Sequence, residues 1–412
     1  MRILFATAFF PPFAPKAATR APALARYLLD QGQDIRVLGA RNTLVNAVLS
    51  HRIPDALIVQ APVTEPRETA PRDPAPGDPA GAGLRLAAAA RAAFGVPDKR
   101  GGWIPHAVAM GKTSFGDWRP DLILTSVPPH AGLFVAAALA DHFKAPWIAD
   151  FRDLWVDHPY YEETGLRARL DGLLQERVMG SAAGFTTVTA GWTDLLKQKY
   201  GKPVACVLNG FDAGDFIDPV PAPGPDGPLT LIYGGGIYGG KRDPRPLFAA
   251  IQKLGWGPDQ IRVTFHVDDE TAVQSWAEAA GIAATVEIAG LVPRENLLLK
   301  QRQSDLLLLL RWDSPSEDHV VAGKLFEYIG CRRPILSVGR ESGEAARIIE
   351  THALGVLSND PDRIADHLAG WWQQKQAGGI PTPGTTIPEE FSREHQFARM
   401  LGFFQEVAGR AD

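Results

Sequence analysis

The chain has 412 residues, 45% hydrophobic and 22% charged, which excludes wholesale disorder or a fibrous repeat and leaves room for two or three domains. Forty-two basic and forty-seven acidic side chains give a net charge of −5, which is no footprint for wrapping nucleic acid. Two cysteines, Cys206 and Cys331, cannot build a disulfide framework or a zinc knuckle, so no structural metal is expected and the chain reads as cytoplasmic.

The opening, Met1 to Pro12, joins one arginine to an apolar run, the ingredients of a signal peptide. The run is cut at Pro11, so a buried first strand is expected instead. Ala131 to Ala140 is the longest helix-like apolar stretch, but His130 and Asp141 bound it well short of the roughly 20 residues of a membrane span. Residues 2–8 read as a strand. Ala21, Leu24, Ala25, Leu28 and Leu29 then recur at helical spacing, and Asp34-Ile-Arg-Val-Leu reads as a second strand. Similar alternation at Asp121–Thr125, Ala131–Phe143, Pro146–Asp150 and Phe185–Thr189 predicts a doubly wound parallel sheet. The Pro-, Ala-, Gly- and Asp-rich stretch from Pro62 to Gly83 reads as a flexible excursion.

A second block follows the Pro/Gly-rich stretch Asp212–Pro228, which reads as an interdomain hinge. Strands are expected at Leu229–Tyr233, Arg262–His266, Val286–Ala289, Asp305–Leu310 and Pro334–Val338. Helices are expected at Pro246–Leu254, Thr271–Ala280, Lys324–Ile329 and Gly343–Thr351. The expected domains are residues 1–212, residues 213–390, and a C-terminal segment 391–412 that crosses back to the first. Net charge is +4 over residues 1–202 and −9 over the rest, so the halves face different ligands or surfaces. The stretch Thr164–Gly180 places Leu166, Leu170, Leu173 and Leu174 at helical spacing among Arg167, Arg169 and Arg177. Both a basic amphipathic helix on a membrane and a core-packed helix fit that pattern.

In such sheets ligands bind beyond the carboxyl ends of the strands, which directs attention to the loops. The first loop, Phe9 to Arg20, leads into a helix whose N-terminus suits an anion, and a Pro-stiffened connection fits equally well. The second, Tyr233 to Arg242, is a glycine-dense turn ending in Lys241 and Arg242. Glycines admit backbone amides to phosphate oxygens and the cations supply countercharge, although an ordinary flexible turn has the same composition. The third, His319 to Tyr328, enters a short helix. Its Glu327 suits ribose hydroxyls or, more plainly, a helix-dipole partner.

Taken in order, Phe9-Phe10-Pro11-Pro12, Asp153-Leu154-Trp155, Val207 to Asp212, the Lys241 loop, Ala289 to Pro293, Lys324 to Pro334 and Ser358 to Pro361 resemble the family-4 retaining glycosyltransferases of GT-B fold. The resemblance covers nearly the whole chain outside residues 62–105. It implies two Rossmann-like domains facing an interdomain cleft, a nucleoside diphosphate sugar in the C-terminal domain and a saccharide or lipid-linked acceptor at the N-terminal one. It further implies transfer with retention and without a bound metal or other cofactor. Under it, Lys241 and Arg242 clamp the diphosphate beside Gly236, and Gly323, Lys324 and Leu325 complete the cradle. Gly290 and Leu291 border the base, and Glu327 holds the ribose.

Three positions depart from the family pattern. His319 stands where a first glutamate is common, Arg152-Asp153 replaces His-Asp, and Ala17-Ala18, preceded by Lys16, replaces Gly-Gly. His319 then bonds donor-sugar hydroxyls or is a plain loop residue. Arg152 stabilises charge or makes a structural pair with Asp153. The function implied is hexosyl transfer in bacterial-type surface polysaccharide or glycolipid synthesis, with possible peripheral contact at the inner membrane face. A sugar-nucleotide 2-epimerase and a non-catalytic GT-B binding subunit are the alternatives.

Overall fold

The computed structural model describes residues 1–11, 19–41, 53–64, 97–383 and 388–410. Lys16, Ala17 and Ala18 and most of the Pro62–Gly83 stretch lie outside them. The described residues form two compact units. One takes residues 1–188, 192–207 and the chain from Phe397 onward; the other takes 189–191 and 208–396.

In the first unit, β1 (Arg2–Ala6), β2 (Asp34–Arg41), β3 (Ile58–Pro62), β4 (Leu122–Val127), β5 (Trp147–Phe151), β6 (Gly184–Thr187) and β7 (Val204–Cys206) pair in the order β3-β2-β1-β4-β5-β6-β7. Every pairing is parallel. Every residue of β4 and β5 is buried, because helices cover both faces of such a sheet and leave no side to alternate toward water. The helix Arg20–Asp30 buries Leu24, Ala25 and Leu28 against Ile3, Phe5, Ile35 and Val37, and Phe397, Met400 and Phe404 of the helix Arg393–Gly409 complete the same core.

The helix Gly165–Met179 is turned contrary to a core-packed helix. It buries Asp171 and Gln175, with Val178 and Met179 at its end, and leaves Leu166 84% and Leu173 70% exposed, with Leu170 also outward. Its inward polar groups are engaged. Asp171 accepts from the Tyr161 hydroxyl at 2.8 Å and Arg167 at 2.9 Å, while Gln175 caps the Val156 amide at 3.0 Å and donates to Asp157 at 2.8 Å. Hydrogen bonding of these buried groups, rather than the leucine periodicity, sets the facing of the helix.

In the second unit, β8 (Leu229–Gly234), β9 (Ile261–His266), β10 (Val286–Ile288), β11 (Leu306–Leu310), β12 (Ile335–Val338) and β13 (Gly355–Leu357) form a parallel sheet in the order β10-β9-β8-β11-β12-β13. The order reverses direction between β8 and β11. That crevice is where the loops leaving the two strands diverge and a ligand can enter. The unit begins at Leu208, ahead of the Pro/Gly stretch expected as a hinge. The reason is Phe211, which packs with Phe326 and Phe391 and exchanges backbone hydrogen bonds with Phe391 and Arg393, so the chain is anchored there before residue 212.

Candidate functional site

The loop after β8 turns on residues in unusual backbone conformations. Gly235 has φ +142°, Gly239 +61° and Gly240 +85°, and Tyr238 adopts φ +53° despite its side chain. The turn is pinned by the Gly235 amide on the His266 carbonyl at 3.0 Å and by the Tyr233 hydroxyl donating to the Gly236 carbonyl at 2.8 Å.

Three cations surround this turn, each in a different state. Arg242 is buried; its guanidinium donates to Glu317 at 2.6 Å and to the Leu310 carbonyl at 2.9 Å. Arg242, expected at the phosphate, thus has its guanidinium engaged within the protein. Its charge is used to join the loop after β8 to the turn Pro315–His319 after β11. Lys241 extends over the Trp312 ring, 4.9 Å from its centre. Lys324, in the first turn of the helix Gly323–Cys331, lies 4.1 Å from the centre of the Tyr233 ring, and burial, reinforced by the Arg242 charge, pushes its ammonium down to about 7. A Cβ on Gly235 would stand 2.3 Å from the Lys324 Nζ and would sit on a backbone at φ +142°, so glycine leaves the amine in place without strain.

The same helix buries Leu325 and Phe326 completely. The Leu325 side chain therefore belongs to the core, so any part this residue takes in the expected cradle falls to its backbone. Glu327 lies on the opposite, half-buried face and accepts from Arg294 at 2.8 Å. Arg294 also donates to Asp215 at 2.7 Å, and these two carboxylates hold its guanidinium above its ordinary range despite burial. Gly290 sits just past β10 with φ +63°, its carbonyl 2.7 Å from His266 Nδ1, and Leu291 beside it is 63% exposed. His319 ends the turn after β11, with Nδ1 3.4 Å from Glu344. Gly236, Lys241, Gly323 and Lys324 are thus gathered at the β8/β11 crevice, while Glu327 is shared with Arg294 and Leu325 belongs to the core.

Arg152 and Asp153 belong to the first unit, just past β5. They do not pair with each other: Arg152 donates to the Pro128 carbonyl, and Asp153 lies 3.6 Å from His158. One step earlier, Asp150 is fully buried. Burial alone would raise its carboxyl, but Arg20 at 3.1 Å, with the Ser126 hydroxyl at 2.8 Å and that of Thr186 at 2.9 Å, holds it below the usual carboxylate range. His130 stacks on Trp155 with centroids 5.3 Å apart, and burial pushes its imidazole down to about 4. Near it a cavity of about 520 Å³ is lined by His130, Asp153, Trp155, His158, Tyr160 and Tyr161, among others.

Sequence reasoning singled out neither Tyr233 nor Trp312 as platforms for the lysines, nor Glu317 and Arg294 as partners. Trp312, two residues past β11 in the crevice, carried a usable signal. Glu317 and Arg294 carried none, because their partners lie 75 and 33 residues away.

Residues 17–210, just under half of the chain, match the glycosyl transferase 4-like domain family. No curated protein matches the sequence. Among solved structures, the chain is similar to Anabaena HepE in complex with UDP-glucose, with TM-score 0.62 and 12% identity over 100% of this chain and 99% of that one. It is also similar to sucrose-phosphate synthase from Thermosynechococcus elongatus, with TM-score 0.61 and 12% identity over 100% and 97%. A Listeria monocytogenes protein described as a UDP-N-acetylglucosamine 2-epimerase matches with TM-score 0.56 and 12% identity over 100% and 97%. The fold is GT-B, with two Rossmann-like units. Because transferases and an epimerase share it, chemistry has to be argued from the site.

Proposed function

We propose that the chain is a glycosyltransferase that moves a hexosyl group, with retention of configuration, from a nucleoside diphosphate sugar to a saccharide or lipid-linked saccharide acceptor. The observation that carries this reading is the pair of lysines, Lys241 and Lys324, set on aromatic faces around the glycine turn at the β8/β11 crevice. The leaving group is a diphosphate whose charge grows as the glycosidic bond breaks. Ammonium groups and loop amides already aimed at it lower the barrier without reorganising.

In this reading Arg242 fixes the loop through Glu317 and does not touch phosphate. Glu327 presents to the ribose hydroxyls a carboxylate already oriented by Arg294, and Gly290 and Leu291 border the base. His319 bonds the donor sugar. Arg152 and Asp153, with the aromatic-lined cavity around Trp155, serve the acceptor, for which flat rings and carboxylates suit a polyhydroxylated ligand. The outward leucines Leu166, Leu170 and Leu173, with Arg169 and Arg177 exposed along the same helix, suit an anionic bilayer surface. That contact would bring a lipid-linked acceptor of surface-polysaccharide or glycolipid synthesis within reach, at the inner membrane face of the cytoplasm.

Glu317 and Glu327, two carboxylates of the turn and helix that follow β11, both bind arginines, which disfavours their use in the acid/base exchange an epimerase requires. Incubation with UDP-, GDP- and ADP-sugars, with and without acceptor extract, tests the assignment. Transfer gives acceptor-dependent nucleotide release, and the anomeric proton coupling of the product reports retention. Epimerisation gives a new sugar without a glycoside, and a binding subunit gives neither.

A further inference from the structure

Unlike Arg242, Lys324 has no anionic hydrogen-bond partner among the described residues. The carboxylate that attracts it, Glu327 on the same helix, receives Arg294, and Glu317 receives Arg242. Among the described residues no carboxylate or carbonyl accepts a hydrogen bond from its ammonium. What faces it is the Tyr233 ring from β8, the Gly235 backbone, and the positive Arg242 from the following loop, with Glu327 a more distant attraction. Tyr233 stays neutral, since burial raises its phenol above the ordinary range and its hydroxyl is spent on the Gly236 carbonyl. Tyr238, the remaining titratable ring on that loop, packs against the Arg242 guanidinium at 5.9 Å.

A desolvated amine beside another cation holds its proton weakly, and a dianion placed against it reverses that balance. We infer that Lys324 takes up a proton from solvent as the donor's diphosphate binds, so that donor binding and protonation of this one amine are a single coupled event. The inference rests on the assignment of the crevice to a nucleoside diphosphate sugar. The proton balance is simple: one solvent proton converts the neutral amine to ammonium, and release of the nucleotide returns it. The direction agrees with an amine pushed down to about 7 by burial and by the Arg242 charge. Once a diphosphate neutralises the surroundings, the amine returns toward its ordinary value of about 10.4. Between those values affinity falls as pH rises. At low pH the amine is already charged and the coupling vanishes.

Isothermal calorimetry of the full chain with UDP, GDP and ADP, at pH 8.5 in buffers of different ionisation enthalpy, counts the protons. At this pH the terminal phosphate is fully ionised, its second pKa being about 6. The expected result is uptake of about one proton per nucleotide bound, falling to near zero in Lys324→Met together with weaker binding. Should that variant fail to fold, affinity of the unmodified chain supplies the same answer, weakening about tenfold per pH unit between pH 7.5 and 9.5. Tight binding with no proton uptake and flat affinity overturns the inference but leaves the glycosyltransferase reading standing. Undiminished uptake in a folded Lys324→Met chain does the same. Failure of all three nucleotides to bind overturns both.

Discussion

Arg242 and Glu317 meet at 2.6 Å with both side chains buried, joining the loop that leaves β8 to the turn that follows β11. The two strands flank the reversal of the sheet, so this ion pair ties together the two loops that border the crevice. Removing one member of a buried pair strands the other charge, which typically costs about 3–5 kcal/mol. Glu317→Ala should therefore lower stability by roughly that amount in urea unfolding, and Arg242→Met combined with Glu317→Leu should recover most of the loss. Equal destabilisation by single and double variants would show that the pair does not act as a unit.

Lys241 is expected to matter more to turnover than to ground-state binding. Lys241→Ala should reduce kcat by about 10²–10³, the range seen when one preorganised electrostatic stabiliser is lost, while nucleotide affinity weakens less. Glu327→Gln should show the opposite split, raising KM for the donor with a smaller change in kcat, because the ribose does not react. The variant also weakens the orientation of Arg294, so circular dichroism accompanies the kinetics.

The first unit should be acid-sensitive. His130 titrates at about 4 when folded, against about 6.5 in an unfolded chain. Because the folded value is depressed, the unfolded state binds the proton first, and stability present above pH 6.5 is lost as pH falls toward 4. Asp150 acts in the same direction at lower pH: its folded value is also depressed, so its contribution disappears as the solution approaches and passes that value. Unfolding free energy measured from pH 7 to 4 should decline, and His130→Gln should flatten the decline. An unchanged slope in the variant would assign the acid sensitivity elsewhere.

Replacing Leu166, Leu170 and Leu173 together by serine should abolish flotation with anionic liposomes while leaving thermal stability nearly unchanged, since these side chains are exposed. Neutral liposomes and high salt should weaken flotation of the unmodified chain. Equal flotation by the triple variant would remove the helix Gly165–Met179 from consideration.

The alternation of apolar strands with helical spacing made both parallel sheets legible, because fully buried strands such as Leu306–Leu310 are continuous hydrophobic runs. Three strands were not expected: β7 and β13, of three residues each, and β3, of five, although the equally short β10 was. Loop glycines and lysines could be located from composition and position. The state of each cation could not, because it depends on partners far away in sequence, as with Arg242 and Glu317. Leu325 shows the same limit from the other side: its place in a motif says nothing of its side chain, which helix geometry turns into the core. The leucine spacing of Gly165–Met179 left the facing of that helix open, because the buried hydrogen bonds of Asp171 and Gln175 that orient it join residues far apart in sequence.

The central claim is that the β8/β11 crevice holds a nucleoside diphosphate sugar for transfer. Single-turnover transfer from radiolabelled UDP-, GDP- and ADP-sugars to an acceptor extract, comparing the unmodified chain with Lys241→Ala, tests it most directly. The account predicts labelled glycoside from at least one donor, with the anomeric configuration kept, and a rate about 10²–10³ lower in the folded variant. Labelled glycoside formed equally fast by both proteins, or no glycoside from any donor, would contradict it.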